Sequence, residues 1–279
     1  MLRTTALRVL RDTDLAAARA VLERDPVADV FVSSRVDQVG LETRLAGEMW
    51  GFVVDGRLES LCHAGANLVP VQAGPEAARA YGERARRLGR RCASIVGERE
   101  AVAVLWEVLE PDWGPARDVR PNQPLLVIDS PPLVEPDPLV RRVQPDELDV
   151  LFPACVEMFT EEVGISPLGN DGGTGYRSRV AQLIAAGHAF ARIEEGRVVF
   201  KAEVGSATAA ACQLQGVWVA PDRRGQGLAG PGMAAVVGAA QRDVAPAVSL
   251  YVNDYNAPAR ATYRRVGFDQ RGTFMSVLF

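Results

Sequence analysis

The stretch that decides the fold reads Val217-Trp218-Val219-Ala220-Pro221-Asp222-Arg223-Arg224-Gly225-Gln226-Gly227-Leu228-Ala229. An apolar strand ends at Ala220-Pro221, a basic turn with glycines follows, and a helix of small and apolar residues begins. A strand feeding such a turn into a helix N-terminus makes an anion cradle. Several N–H groups converge, the helix dipole adds partial positive charge, and the arginines add whole charges. Glycine lets the backbone approach a phosphate closely. The GKS/GKT ending of a P-loop is missing, and so is the dinucleotide fingerprint G-x-G-x-x-G. The expected ligand is still a phosphate or pyrophosphate.

Further along, the strand Val248–Asn253 is followed by Asn256-Ala257-Pro258-Ala259-Arg260-Ala261-Thr262-Tyr263-Arg264-Arg265-Val266-Gly267-Phe268. Arg224, Gly227 and Ala229 resemble the R-x-x-G-x-G/A signature of the GNAT superfamily of acyl-CoA N-acyltransferases. Asn256, Ala259, Tyr263, Gly267 and Phe268 resemble its N-x-x-A-x-x-x-Y…G-F block. The resemblance covers roughly residues 139–279. The whole chain also resembles a group of two-domain actinobacterial proteins of that superfamily with an uncharacterised N-terminal domain.

The resemblance implies a site. The amides of Arg224, Gly225, Gln226, Gly227, Leu228 and Ala229 hold the CoA pyrophosphate. The strand Val217-Trp218-Val219 lies along the pantetheine arm, the backbone of Val217 and Val219 pairing with it as an added strand would. That strand splays from Val248–Val252, with Gly216 marking the bulge where the splay starts. Asn256 reaches the pantetheine or caps the next helix, and the two roles are compatible. Tyr263 stands at the family's tyrosine position and is the candidate general acid for the CoA thiolate. The alternative is a core aromatic facing Phe268. The amide of Val219 or a neighbour is the candidate oxyanion donor.

The remaining candidates come from the residues themselves. Glu203 lies mid-strand among apolar neighbours, where burial raises a carboxylate's pKa and suits it to take an ammonium proton. Lys201, two residues away, shares its face. The alternative is a Lys201–Glu203 ion pair on a solvated sheet face. Gln213 and Gln215, on the next strand, are polar positions suited to holding a water. Acceptor preference is expected from the Gly-rich segment 159–175, whose Glu161, Glu162 and Asp171 suit an amine or other cationic acceptor. A solvated linker whose acids cap helices is the other reading.

Residues 130–138 carry four prolines in nine positions and break regular structure. The expected division is a GNAT-like domain over 1–129, a linker over 130–138 and an acyltransferase domain over 139–279. Residues 47–65 and 187–205 align without a gap, matching Gly47, Gly56, Arg57 and Gly65 to Gly187, Gly196, Arg197 and Gly205. Each is a hairpin signal. Both halves also open with a strand around an Arg-Val pair, then a helix with an acidic-Leu pair, as in a duplication. The expected fold class is α/β (α+β), tandem GNAT-like domains, each a mixed central sheet flanked by helices. The N-terminal half has no arginine over 64–76, and Trp106 roughly replaces Tyr263. It is expected not to bind CoA.

The net charge of −4 argues against a nucleic-acid surface. No segment reads as a signal peptide or a membrane span. Cys62, Cys92, Cys155 and Cys212 form no CxxC pair and read as reduced thiols in a cytoplasmic protein. His63 and His188 make no metal cluster, so no metal is expected, and oligomeric state is left open. The leading expectation is transfer of acetyl, or another short acyl group, from acetyl-CoA to an amine on a small molecule, peptide or protein. The alternatives are a non-catalytic acyl-CoA sensor and an aminoacyl transferase of tandem-GNAT type, the latter disfavoured by the acidic balance.

Overall fold

The computed structural model describes residues 3–42, 47–169 and 172–279. The elements in chain order are β1 (Thr5–Val9), α1 (Leu15–Leu22), α2 (Val30–Val39), β2 (Glu48–Val54), β3 (Arg57–Ala64), β4 (Asn67–Val71), α3 (Pro75–Leu88), β5 (Ser94–Glu98), α4 (Arg99–Trp113) and β6 (Asp118–Ile128). The second set is β7 (Arg141–Arg142), α5 (Leu148–Val163), α6 (Thr174–Ala185), β8 (Ala189–Glu194), β9 (Arg197–Ala207), β10 (Ala211–Val219), α7 (Ala229–Asp243), β11 (Ala247–Tyr251), α8 (Ala257–Val266) and β12 (Asp269–Leu278). The order β-α-α-β-β-β-α-β-α-β therefore occurs twice, and the fold is a mixed α/β tandem.

The repetition extends to backbone detail. The first hairpin turns at Asp55 (φ 47°) and Gly56 (φ 80°), the second at Glu195 (φ 50°) and Gly196 (φ 75°). Left-handed conformation at both central positions is the type I′ turn that matches strand twist. Just past each turn the register slips by one residue, at Phe52/Val53 in β2–β3 and at Arg192/Ile193 in β8–β9. Each half also starts with a two-pronged ion pair across a 3-10 turn, Arg8 with Asp14 and Arg141 with Glu147. In both, the acid also accepts an N–H at the turn's N-cap, from Arg11 or Gln144.

By packing, the chain forms two units. The first comprises the described residues of Met1–Leu126, Tyr251–Asn256 and Gln270–Phe279, and the second Val127–Leu250 and Ala257–Asp269. Strand order is β1-β2-β3-β4-β5-β12-β6 in unit 1 and β11-β10-β9-β8-β7 in unit 2. β4–β5 and β10–β11 pair parallel, while β1–β2–β3–β4 and β7–β8–β9–β10 pair antiparallel.

This division departs from the expected boundaries in two places. Segment 130–138 packs as part of unit 2. Leu133 N–H donates to Val266 O at 2.8 Å, Asp137 N–H donates to Pro231 O at 3.0 Å, and the Asp137 carboxylate pairs with Arg192 at 2.8 Å. The last strand, β12, lies in unit 1 between β5 and β6. Met275 and Val277 join the core built on Trp50, Tyr81, Leu105 and Trp106, and buried Ser276 donates to Gln123 Oε1 at 2.6 Å. On the α5–α6 side of unit 2 the core is Leu151, Cys155, Val180, Leu183, Val198 and Trp218. On the other side α7 lies close to the sheet. A Cβ on Gly232 would stand 2.8 Å from the Phe200 ring, so only glycine allows that approach.

Candidate active site

β10 runs into a 3-10 turn, Pro221–Arg223, and the chain then crosses Arg224–Leu228 to reach α7. Gly225 (φ 74°) and Gly227 (φ 81°) are both left-handed, and a Cβ on either would meet nothing within 4 Å. The loop thus presents an open face of bare backbone. Among the described residues, the N–H groups of Gly225, Gln226, Gly227 and Leu228 donate to no protein acceptor. Unused donors beside the start of a 15-residue helix form a ready anion site.

Side chains hold this loop from outside. Gln226 Nε2 donates to Asp222 O at 3.0 Å, and its Oε1 accepts from Arg223 Nε at 3.1 Å. Arg223 also pairs with Glu194, and Asp222 with Arg197. Arg224 Nε donates to Val219 O at 3.0 Å, and its two terminal nitrogens grip both oxygens of Glu161 at 2.7 Å. Arg224 holds the Glu161 carboxyl below the usual carboxylate range. Trp218 Nε1 donates to the same carboxylate at 3.3 Å. Glu161, expected at the acceptor end, is thus tied to the cradle.

The strands beside the loop diverge. The β10–β11 ladder covers only Ala211–Ala247, Cys212–Val248 and Gln213–Ser249, although β10 continues to Val219. On its other edge β10 stays paired with β9 but slips between Gln213 and Leu214 and again, in the opposite sense, between Gln215 and Trp218. Three residues of β10 span two of β9 there, and Gly216 sits at φ 59°. This is the expected bulge, and it starts where expected. Val217 and Val219 are half-buried, while Trp218 is buried against the α5–α6 core. Only the backbone of Trp218 is therefore left to face a ligand in the gap.

Tyr263 lies on α8 and is buried, its ring 5.9 Å from that of Phe268. Its hydroxyl donates to no protein atom among the described residues. Burial, and then the negative charge of Glu162, push the phenol above its ordinary value. It therefore keeps its proton through the neutral range. Glu162, near the C-terminal end of α5, is exposed. Tyr263 and Glu162, expected as acid and acceptor-binding group, are thus electrostatic neighbours. Asn256 is exposed immediately before α8, and its N–H donates to Asn253 O at 3.0 Å. Asp171 lies outside the described residues.

Glu203 is buried, not on a solvated face. Its Oε1 lies 2.7 Å from Lys201 Nζ, and Lys201 is fully buried. Burial pulls Lys201 down, but the charge of Glu203, the neighbouring Cys155 and the hydrogen bonds to both together outweigh it, and the ammonium titrates above its ordinary value. Removing either partner would leave the other charge buried without a counter-ion, which is costly. Cys155 Sγ lies 3.5 Å from Glu203 Oε1, and burial pushes this thiol up to about 12. Gln215 Nε2 lies 3.5 Å from Glu203 Oε2, and Gln213 pairs with Ser206 further along. Sequence reasoning missed the bond from Lys201 Nζ to Gly216 O, 2.9 Å. The available signal was a lone lysine on an apolar strand of an arginine-rich chain.

Among the described residues, unit 1 has no equivalent loop. Three residues, Gln72-Ala73-Gly74, join β4 to α3, and Pro75 and Glu76 begin that helix. A missing N–H and a negative charge both oppose anion binding. Trp106 on α4 is buried against Phe279, with ring centroids 5.7 Å apart.

No group of metal-ligating side chains exists among the described residues, and no described helix is long and apolar enough to cross a membrane. No curated protein sequence matches the chain. Several solved structures share the fold over nearly their whole length. A GCN5-related N-acetyltransferase from Sphaerobacter thermophilus is 18% identical, with a TM-score of 0.64 and coverage of 98% of this chain and 95% of that one. A tandem GNAT protein from the clavulanic acid biosynthesis pathway is 15% identical, TM-score 0.57, covering 99% and 98%. A GNAT-family acetyltransferase from Colwellia psychrerythraea is 13% identical, TM-score 0.57, covering 98% and 99%. Residues 47–151 match the family model "Domain of unknown function (DUF4081)". Residues 176–268, which hold the cradle, the bulge and Tyr263, match "Acetyltransferase (GNAT) family", and this part of the chain is a domain of the GNAT acetyltransferase family.

Proposed function

We propose that unit 2 moves an acetyl or other short acyl group from acyl-CoA to an amine by direct attack on the thioester. The observation that carries this reading is the run of unused amides from Gly225 to Leu228 on an open, glycine-framed face. The pyrophosphate lies on those amides, on the amide of Ala229 and beside Arg224. The pantetheine runs along the β10 edge that β11 leaves after Gln213, against Val217-Trp218-Val219. Glu162 attracts the cationic acceptor. The ammonium first loses a proton to solvent, and the amide of Val219 or a neighbour stabilises the oxyanion formed as the neutral amine attacks. When the C–S bond breaks, Tyr263, in direct contact, gives its proton to the CoA thiolate and regains one from the amine nitrogen through solvent. Unit 1 binds no CoA. The four free cysteines agree with a cytoplasmic site of action.

The buried Lys201–Glu203 pair favours one second reading, a non-catalytic acyl-CoA sensor, because Lys201 engages the candidate base Glu203. Release of free CoA thiol from acetyl-CoA, screened over primary amines of small molecules and peptides, separates the two. Acceptor-dependent thiol release supports transfer. Acetyl-CoA binding without release for any amine supports the sensor.

A further inference from the structure

The Lys201–Glu203 pair has a third bond that gives it a task. Lys201 Nζ, fully buried, holds Glu203 Oε1 at 2.7 Å and the carbonyl oxygen of Gly216 at 2.9 Å. Gly216 is the bulge residue. A Cβ there would stand 2.9 Å from Lys201 Nζ, 3.0 Å from Met158 Cε and 3.3 Å from Glu203 Oε2, so the ammonium is seated directly against the bulge. Buried ion pairs add little net stability, and apolar residues of similar volume often do as well. Stability alone does not account for this one.

The bulge decides what the rest of β10 presents. A one-residue slip sends every following side chain to the opposite face. With the bulge, Gln215 pairs with Glu203 and Trp218 with Lys201, and Trp218 reaches α5 and Glu161. Without it, Trp218 would leave that core and the β10 edge facing the gap would be out of phase. A backbone hydrogen bond to a ligand tolerates only a few tenths of an ångström of such misplacement.

We propose that Lys201 is a positioning residue, which fixes the β10 edge for the pantetheine–thioester arm by gripping the Gly216 carbonyl, with Glu203 as its counter-ion and not as a base. This deepens the acyl-CoA reading and rests on it.

The test compares two probes by calorimetry on the full chain. ADP carries the adenosine and diphosphate without the arm, and acetyl-CoA adds the arm and a 3′-phosphate. In Lys201→Met/Glu203→Leu, acetyl-CoA is expected to bind about ten-fold more weakly, the equivalent of one or two lost hydrogen bonds, and ADP as in wild type. Unchanged affinity for both, or equal weakening of both, overturns the proposal. Should that variant fail to fold, Glu203→Gln decides. It removes the counter-ion that keeps Lys201 charged against Gly216 O, so acetyl-CoA is expected to bind about ten-fold more weakly with ADP unchanged, and wild-type affinity for both overturns the proposal. Wild type that binds neither probe overturns the acyl-CoA reading itself, and this inference with it.

Discussion

Arg224 and Glu161 face each other fork to fork, Nη1 to Oε1 and Nη2 to Oε2, both at 2.7 Å. Such bidentate geometry fixes orientation as well as charge. Since Arg224 Nε also holds Val219 O, one guanidinium ties the end of β10, the cradle and the end of α5 together.

Both partners of this pair are about half exposed, so it adds at most about 1 kcal/mol to stability. Its effect on the cradle's shape is expected to be larger. Arg224→Ala should lower the melting temperature little and weaken acetyl-CoA about ten-fold. Calorimetry and thermal denaturation on the same sample check both halves. A large stability loss with unchanged affinity would make the pair a structural brace only.

Tyr263 is buried, and its phenol titrates above its ordinary value of about 10. A phenol that holds its proton suits a general acid. Tyr263→Phe should leave acetyl-CoA affinity unchanged and lower turnover about 10²–10⁴-fold. Thiol release with any accepted amine measures it. Full turnover in the variant would remove Tyr263 from the chemistry.

Asp29 of unit 1 is buried, and burial, aided by the charges of Asp25 and Glu98, pushes its carboxyl up to about 7, against an opposing hydrogen bond from Gln72 Nε2. The folded value lies above the unfolded one, so the native state keeps a proton that the unfolded chain releases. Stability is therefore lost as pH rises from about 4 to 7 and then levels. Asparagine does not titrate. Asp29→Asn should match wild type near pH 4 and exceed it at pH 8 by on the order of 2 kcal/mol. Urea denaturation at the two pH values tests this. His63, pushed down to about 4 by burial, acts with the opposite sign in the same window but is common to both proteins. An equal difference at both pH values would assign the effect to packing.

The cradle, bulge and hairpins were legible because each depends on residues adjacent in sequence. Gly225 and Gly227 supply positive φ, Gly216 marks the extra residue, and Asp55-Gly56 and Glu195-Gly196 spell their turns. Contacts set by tertiary packing were not legible. Nothing in Met275 or Val277 says which unit their strand joins, because an apolar strand suits either core. Glu203 read equally as a base or as a solvated ion pair, and only its depth beneath α5, beside Cys155, shows that the pair is buried. Glu161 suits an acceptor ligand or a helix cap in the sequence alone, and the partner it meets in the structure, Arg224, is 63 residues away.

The central claim is that backbone amides after β10 grip the diphosphate of acyl-CoA. Amide chemical shifts followed by NMR during an acetyl-CoA titration test it most directly, with Gly227→Val, which strains a φ of 81° and fills the open face, as control. Large shifts are expected for Gly225, Gln226, Gly227, Leu228 and Ala229 in wild type, and their loss in the variant. Saturable binding that leaves those five amides unmoved would contradict the claim.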